Sequence, residues 1–367
     1  MSEEKKEMKK SSSPAKDLTV GSPMKLILGF AFPMFLGLLF QQFYSLVDTM
    51  IVGKYLGVDP FAGVGSTGSL NFIVIGFCMG LCSGFSVPIS QSFGAKDFPL
   101  LRKMVTNSVW LCTFFSVVIT TLMLLFCRPV LTWMNTPENI FEYAYIYIFI
   151  IFAGIPCTIL YNMTAAILRA LGDSKSPIIF LAISSAINIG LDLLFIQVFQ
   201  SGVAGAAIAT VISQAVAGIA CFIYIFTKCR FLIPEKDEFR VARADFNDLV
   251  QSALAMGFMS CIVNFGTVTL QSSINKLGTN IITAHTAARK IFDILDVVLY
   301  IIGNAVTTFV SQNLGAKRID RVKTGVRAGI IINTIATTII ILIGFPASPL
   351  LIRLIAGTND PAVIDPA

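Results

Sequence analysis

Polar side chains inside two long apolar segments are the residues of this sequence best suited to chemistry. Asp48 lies within the first segment, where an ionisable group is costly enough to indicate function. In a later segment Asn188 and Asp192 are four residues apart, with Ser184 one turn earlier, so a helix places them on one face. Carboxylate, amide and hydroxyl oxygens suit a proton or a hard cation such as Na+. We predict such an ion site; the alternative is that Asn188 and Asp192 only hydrogen bond between helices.

The neighbours of Asp48 extend this polar surface along the same helix. Gln41 and Ser45 lie seven and three residues before Asp48, so the three share one stripe, and Tyr44 lies beside it. Within a membrane, such a stripe is expected to face a cavity. We therefore expect Gln41, Tyr44 and Ser45, together with Ser184, to line a cavity. The alternative is that Asp48 lies near the outer surface and is merely solvated.

The elements that carry these residues are membrane-spanning helices. The 367 residues are 55% hydrophobic and 13% charged, whereas a soluble domain carries roughly a quarter charged residues. Apolar runs of about 18 residues or more can cross about 30 Å of hydrocarbon as helices, and they lack the alternation of a barrel. The predicted fold is an all-α polytopic membrane protein with nine spans, near 26–50, 62–92, 105–127, 141–168, 178–199, 203–227, 249–273, 282–312 and 325–346.

Basic residues mark one side of this bundle. Twenty-one Lys and Arg residues fall in segments on the side of the N-terminus, and four fall on the other side. The positive-inside rule predicts that the N-terminus lies in the cytoplasm. The expected location is the plasma membrane, most simply the cytoplasmic membrane of a bacterium. Topology accounts for the net charge of +6, so no nucleic-acid partner is expected. Residues 1–24 are rich in Lys, Glu and Ser and are predicted to be a disordered cytoplasmic tail rather than a signal peptide.

An internal repeat divides the chain into related halves. Ser90–Lys96, with the sequence SQSFGAK, matches Ser311–Lys317, with the sequence SQNLGAK, at an offset of 221 residues. Six spans separate the copies, so both enter the membrane in the same direction and form a parallel repeat. The predicted units are a six-helix lobe at 25–228, a cytoplasmic linker at 229–248 and a partial lobe at 249–367. A complete duplicate would have about twelve helices, so the last three are expected to be missing here.

Several motifs occur together in this chain. They are Val47-Asp48-Thr49 with Val52-Gly53, the Gly-Ala-Lys turn, Arg169-Ala170-Leu171-Gly172-Asp173 with Lys175 and Pro177, Asn188 with Asp192, and Gly202–Ala207. In combination they resemble the multidrug and toxic compound extrusion (MATE) family, from about residue 20 to the end.

The resemblance implies two six-helix lobes facing a central cavity, and antiport of small organic, often cationic, compounds against H+ or Na+. It also implies a cation site in the first lobe that adds Thr210 to Asp48, Asn188 and Asp192. No cofactor besides the coupling ion is expected. The expected partners are the organic substrates and membrane lipid, and the expected state is a monomer.

The second half departs from this pattern. At the offset of 221, Thr269 takes the place of Asp48, so the acid of the first helix is absent. The eighth predicted span carries four other candidates for the cavity, which fall near one face: His285, Arg289, Asp293 and Asp296. A structural ion pair between Arg289 and Asp293 is the preferred interpretation, and a lone His is more often a hydrogen-bonded structural residue.

Other classes of protein are less consistent with the sequence. A lipid-linked oligosaccharide flippase of the same superfamily is the main alternative, but it needs a large, positively lined cavity, and the main cations within spans are Arg289 and Lys290. An enzyme is not expected, because the chain has one histidine and no HExxH or GxSxG motif. The GxGxxG match at 63–68 has no preceding strand and indicates helix packing.

Overall fold

The computed structural model describes residues 15–235, 237–239, 242–274 and 279–356, and within them it contains helices and turns but no β-strand. The α-helices are α1 (Pro23–Leu56), α2 (Val58–Ser66), α3 (Gly68–Ala95), α4 (Phe98–Trp133), α5 (Glu138–Ala153), α6 (Ile155–Ala170), α7 (Lys175–Leu193), α8 (Gly202–Lys228), α9 (Arg243–Ile274), α10 (Thr279–Gly315) and α11 (Ile319–Ala356). A π-helical turn, Leu194–Val198, continues α7, and a 3-10 turn, Arg230–Leu232, follows α8.

The described part of the chain provides the nine spans that the sequence predicts. Eight helical segments are each long and apolar enough to cross a membrane. The ninth span is the pair α5 and α6, which bends by 46° at Gly154. Pro156 in the first turn of α6 has no N–H to donate to the preceding turn, which accounts for the break. The predicted all-α polytopic fold is therefore confirmed.

Helix α3 approaches α9 closely because one face of α3 lacks side chains. Gly76, Gly80 and Gly84 recur every four residues and so lie on one face. A Cβ on Gly80 would lie 2.5 Å from the carbonyl oxygen of Met256, and a Cβ on Gly84 would overlap the carbonyl oxygen of Ser252. Small residues of this kind let helix backbones approach within a membrane. This contact joins the first half of the chain to the second.

The two copies of the repeated motif meet at the end of the bundle where α1 begins. A Cβ on Gly94 would overlap the carbonyl oxygen of Gln312, and a Cβ on Gly315 would overlap the carbonyl oxygen of Gln91. Gly94 and Gly315 are equivalent positions of the repeat, as are Gln91 and Gln312. The contact is therefore reciprocal, as it is between elements related by a two-fold axis.

A short segment before α1 lies across this contact. The sequence predicts a disordered tail here, whereas residues 15–22 are folded and Leu18 is 1% exposed. The Leu18 N–H donates to Gln312 Oε1 at 2.9 Å, and Gln312 Nε2 donates to the carbonyl oxygen of Ala170 at 2.9 Å. Asn313 Nδ2 donates to the carbonyl oxygen of Leu18 at 3.3 Å. We call this hydrogen-bonded region the seam and define it as residues 16–19, 170–172 and 311–313.

Further contacts join residues 16–19 of the seam to neighbouring helix ends. The N–H of Lys16 donates to the carbonyl oxygen of Leu171 at 2.8 Å. The Asp17 carboxylate pairs with Lys96 at 3.1 Å. Burial raises the pKa of Asp17, but hydrogen bonds from Thr19 and the contact with Lys96 outweigh burial and leave this pKa below 3.8. Residues 1–14 of the predicted tail lie outside the described residues.

The connection between the halves is anchored by a buried ion pair. Arg102 on α4 donates through Nη2 to Glu238 Oε1 at 2.8 Å, and both side chains are less than a tenth exposed. The hydrogen bond from Arg102 lowers the pKa of Glu238. Helix α9 begins at Arg243, earlier than the predicted start near 249. Part of the predicted linker thus forms the first turns of α9.

Candidate functional site

Helices α1 and α7 bring Asp48 and Asp192 face to face. An apolar group one turn away packs α1 against α7 and α8; it contains Val52 and Ala206, with Ile189 at its edge. This packing sets the rotation of the helices about their axes and so turns the two acids toward each other. Their carboxyl groups are close enough to share a hydrogen bond when one of them is protonated.

Most polar side-chain atoms of this site have no hydrogen-bond partner within the described residues. Asp192 is 0% exposed and Asn188 is 1% exposed. Both oxygens of Asp192, both polar side-chain atoms of Asn188 and Oδ1 of Asp48 are buried there without a hydrogen bond. A buried polar group without a partner is unfavourable by about 1–3 kcal/mol, and a charged one by more. We call Asp48, Asn188 and Asp192 the acid cluster; its oxygens suit a proton or Na+.

Two tyrosines border the acid cluster. Tyr44 on α1, which the sequence predicts as a candidate, and Tyr147 on α5 both lie within electrostatic range of Asp48 and Asp192. A phenol hydroxyl can donate a hydrogen bond to a carboxylate. Sequence reasoning missed Tyr147. The available signal was a phenol inside an apolar span, but α5 contains three tyrosines and its pattern does not single out this one.

Other predicted residues of the first half lie on the helices that carry or pack against the acid cluster. Thr210 is half-buried, and its hydroxyl donates to the carbonyl oxygen of Ala206 at 3.1 Å. Because Ala206 belongs to the apolar group beside the acids, Thr210 lies on α8 one turn from that group. Ser184 is 4% exposed and precedes Asn188 by one turn on α7. The side chain of Ser45 lies outside the described residues.

A cavity of about 170 Å³ lies between the two halves. Its walls come from α1, α3, α6, α7 and α8 on one side and from α9 and α10 on the other. Gln41 lines this cavity, as predicted, and lies seven residues from Asp48 along α1. The described lining residues include amides, hydroxyls, methionines and one cation, Arg169, but no carboxylate.

The predicted candidates of the second half are not among the described lining residues of this cavity. His285 and Arg289 are half-buried on α10, and Asp296 is exposed. The Arg289 guanidinium lies 5.7 Å from the centre of the Phe292 ring. The side chain of Asp293 lies outside the described residues, so the Arg289–Asp293 ion pair stays a prediction.

Apolar spans arranged as repeated halves around a central cavity are the architecture of a secondary transporter. More narrowly, the chain belongs to the MatE family of multidrug and toxic compound extrusion proteins, whose model matches residues 33–194 and 255–367. The resemblance noted from the sequence motifs is thereby confirmed.

Two relatives and one solved structure show how far the similarity extends. The probable multidrug resistance protein YoeA of Bacillus subtilis is 31% identical over 322 residues, which cover 86% of this chain and 69% of that protein. The FAD transporter of Shewanella oneidensis is 23% identical over 348 residues, covering 93% and 76%. An outward-facing MATE family transporter superposes with a TM-score of 0.88 at 24% identity, covering 95% of this chain and 78% of that one. Members of this family are transporters rather than enzymes.

Proposed function

We propose that the chain is a secondary antiporter that exports small organic compounds in exchange for H+ or Na+. The acid cluster is the observation that carries this proposal, because buried carboxylate oxygens without protein partners among the described residues favour a bound cation. The family and the multidrug resistance named for its Bacillus relative support small organic substrates. The excess of basic residues on one side supports a plasma-membrane location with a cytoplasmic N-terminus. No cofactor besides the coupling ion is required.

Ion and substrate would compete through the position of α1. Asp48 and Gln41 lie about 10 Å apart along this helix, so α1 contributes to both the acid cluster and the cavity. Two adjacent buried carboxylates cannot both stay charged at low cost, so a proton or Na+ favours the approach of α1 to α7. A substrate that favours a different position of α1 then releases the ion, and the ion releases the substrate. This competition is the basis of alternating access between the halves.

A lipid-linked oligosaccharide flippase of the same superfamily is the second candidate. Its cargo carries a pyrophosphate and a large glycan, which require a wide cavity with several cations. The observed cavity is about 170 Å³, with a single cation among its described lining residues. A small solute is therefore the better fit.

The proposal is tested with the purified full chain in proteoliposomes. Na+ and pH gradients are imposed separately at fixed membrane potential, and the uptake of ethidium, riboflavin and flavin mononucleotide is followed by fluorescence. We expect at least one probe to accumulate against its own gradient with one of the two ions, and to leak back when that ion gradient is dissipated. Flux that only equilibrates the probes under both gradients would refute antiport, and translocation of a lipid-linked pyrophosphate instead would favour the flippase.

A further inference from the structure

The cavity between the halves carries a cation that no group of the described residues neutralises. Arg169 lies in the last turn of α6 and lines the cavity. Its charge acts on Cys82, Tyr161 and Cys221, three buried side chains of α3, α6 and α8, so the guanidinium points into the bundle. The described residues provide Arg169 with neither an ion pair nor a hydrogen bond. A half-buried guanidinium in this state favours an anionic ligand.

The acid closest to Arg169 in sequence, Asp173, has other hydrogen-bond partners. Asp173 Oδ1 accepts hydrogen bonds from the backbone N–H groups of Lys175 at 3.0 Å and Ser176 at 3.1 Å, at the start of α7. Its Oδ2 has no partner among the described residues. The Asp173 carboxylate therefore caps the first turn of α7 instead of neutralising Arg169.

The remaining walls of the cavity favour a flat apolar body with neutral polar groups. Tyr161 and Tyr300 provide aromatic surface, and the thioethers of Met34, Met79 and Met256 provide soft apolar surface. Amides complete the lining, and one amide oxygen, that of Gln214, is buried without a partner among the described residues. An aromatic compound with one acidic group fits these surfaces together with Arg169.

We propose that Arg169 binds the carboxylate or phosphate of the exported compound, so that the preferred substrates are aromatic organic anions rather than cations. The proposal rests on the proposed export function and names the substrate class of the same cavity. Because the guanidinium offsets the charge of the bound anion, the loaded cavity carries less net charge within the low-dielectric bundle.

Binding of three aromatic probes to the purified full chain in neutral detergent tests this assignment. Flavin mononucleotide carries a phosphate, riboflavin has the same ring without it, and ethidium is an aromatic cation. We expect the wild type to bind flavin mononucleotide about 10- to 100-fold more tightly than riboflavin, as for a charge-assisted hydrogen bond in a buried site. Arg169→Gln should remove this preference, and Arg169→Lys should retain part of it, because Lys keeps the charge but loses the bidentate geometry.

Two control variants separate recognition from general effects. Arg230→Gln removes the same charge from an exposed residue near the same end of the bundle and should leave the preference unchanged. Asp173→Asn should lower thermal stability and keep the preference. Equal wild-type affinities for the two flavins, tighter binding of ethidium, or an unchanged preference in Arg169→Gln would overturn the proposal.

Two further measurements identify the source of the bound anion and separate anion binding from ion-driven transport. Displacement of flavin mononucleotide by phosphatidylglycerol at lower concentrations than by phenyl phosphate would overturn the assignment to a soluble substrate. Binding is measured without any ion gradient, so its outcome is separate from that of antiport. Asp59→Asn, on the exposed surface of α2, leaves the acid cluster intact and should keep the flavin preference; loss of the preference in this variant would count against Arg169 as the recognition group.

Discussion

The seam and the acid cluster are both buried and polar, but they differ in whether their polar atoms have hydrogen-bond partners. In the seam, Gln312 and Asn313 are 0% exposed, and their side chains hydrogen bond to backbone groups or to arginine. In the acid cluster, Asn188 and Asp192 are as deeply buried, yet their side chains have no partner within the described residues. Folding alone explains the satisfied region, whereas the polar atoms of the unsatisfied region need a partner from outside the protein, such as a bound ion or water. Substitutions in the two regions should therefore have different consequences.

Replacing an acid of the cluster should have the largest effect on function. Asp192→Asn and Asp48→Asn each conserve shape and remove the charge that attracts the cation, so ion-driven uptake should fall to the level of protein-free vesicles. The proteoliposome assay measures this loss, and membrane yield and thermal unfolding show that the protein still folds. Asp59→Asn, on the exposed surface of α2, is the matched control and should keep full uptake. Full uptake by both cluster variants would contradict the assignment.

Replacing a polar residue of the seam should reduce stability instead. Gln312→Ala leaves the Leu18 N–H without its partner and removes one of the two side-chain hydrogen bonds to the Ala170 carbonyl, which should lower the free energy of unfolding by about 1–3 kcal/mol. Thermal unfolding measures the change. Thr324→Ala is the control, because this exposed hydroxyl bonds only to the Asp320 carbonyl of its own helix. Uptake by folded Gln312→Ala should depend on the same ion as uptake by the wild type. A change of the coupling ion in this variant would contradict the assignment of a structural role to the seam.

The smallest effect is expected at the edge of the seam, for Asp17→Asn. The Asp17–Lys96 pair is partly exposed, so its loss should reduce stability by about 0.2–1 kcal/mol. Because the pKa of Asp17 lies below 3.8, its contribution is present above the ordinary carboxyl pKa and is lost as the pH falls through the lowered folded value. The difference in stability between wild type and variant should stay constant in the neutral range and disappear in acid. A difference that disappears at neutral pH would show that Asp17 does not act through this pair.

Sequence reasoning reached the acid cluster because charges inside apolar runs are few and helical spacing groups them. It also found the spans and the repeat, since the length of an apolar run and the recurrence of a motif can be read from the sequence alone. It could not find the seam, because the burial of Leu18 depends on Gln312, which is 294 residues away. For the same reason Arg169 counted as a basic residue of one membrane side and as part of a family motif, but not as a cavity residue. Which way the last turn of α6 faces is decided by packing, not by the local pattern.

The central claim is that the acid cluster binds the coupling cation. Its most direct test is to titrate purified wild type and Asp192→Asn with NaCl by calorimetry at several pH values and constant ionic strength, while recording proton uptake and release. We expect the wild type to bind Na+, or to take up a proton that the variant does not, in the pH range where export operates. Asp192→Asn should show neither signal. Identical Na+ heats and identical proton uptake in the two proteins would contradict the claim.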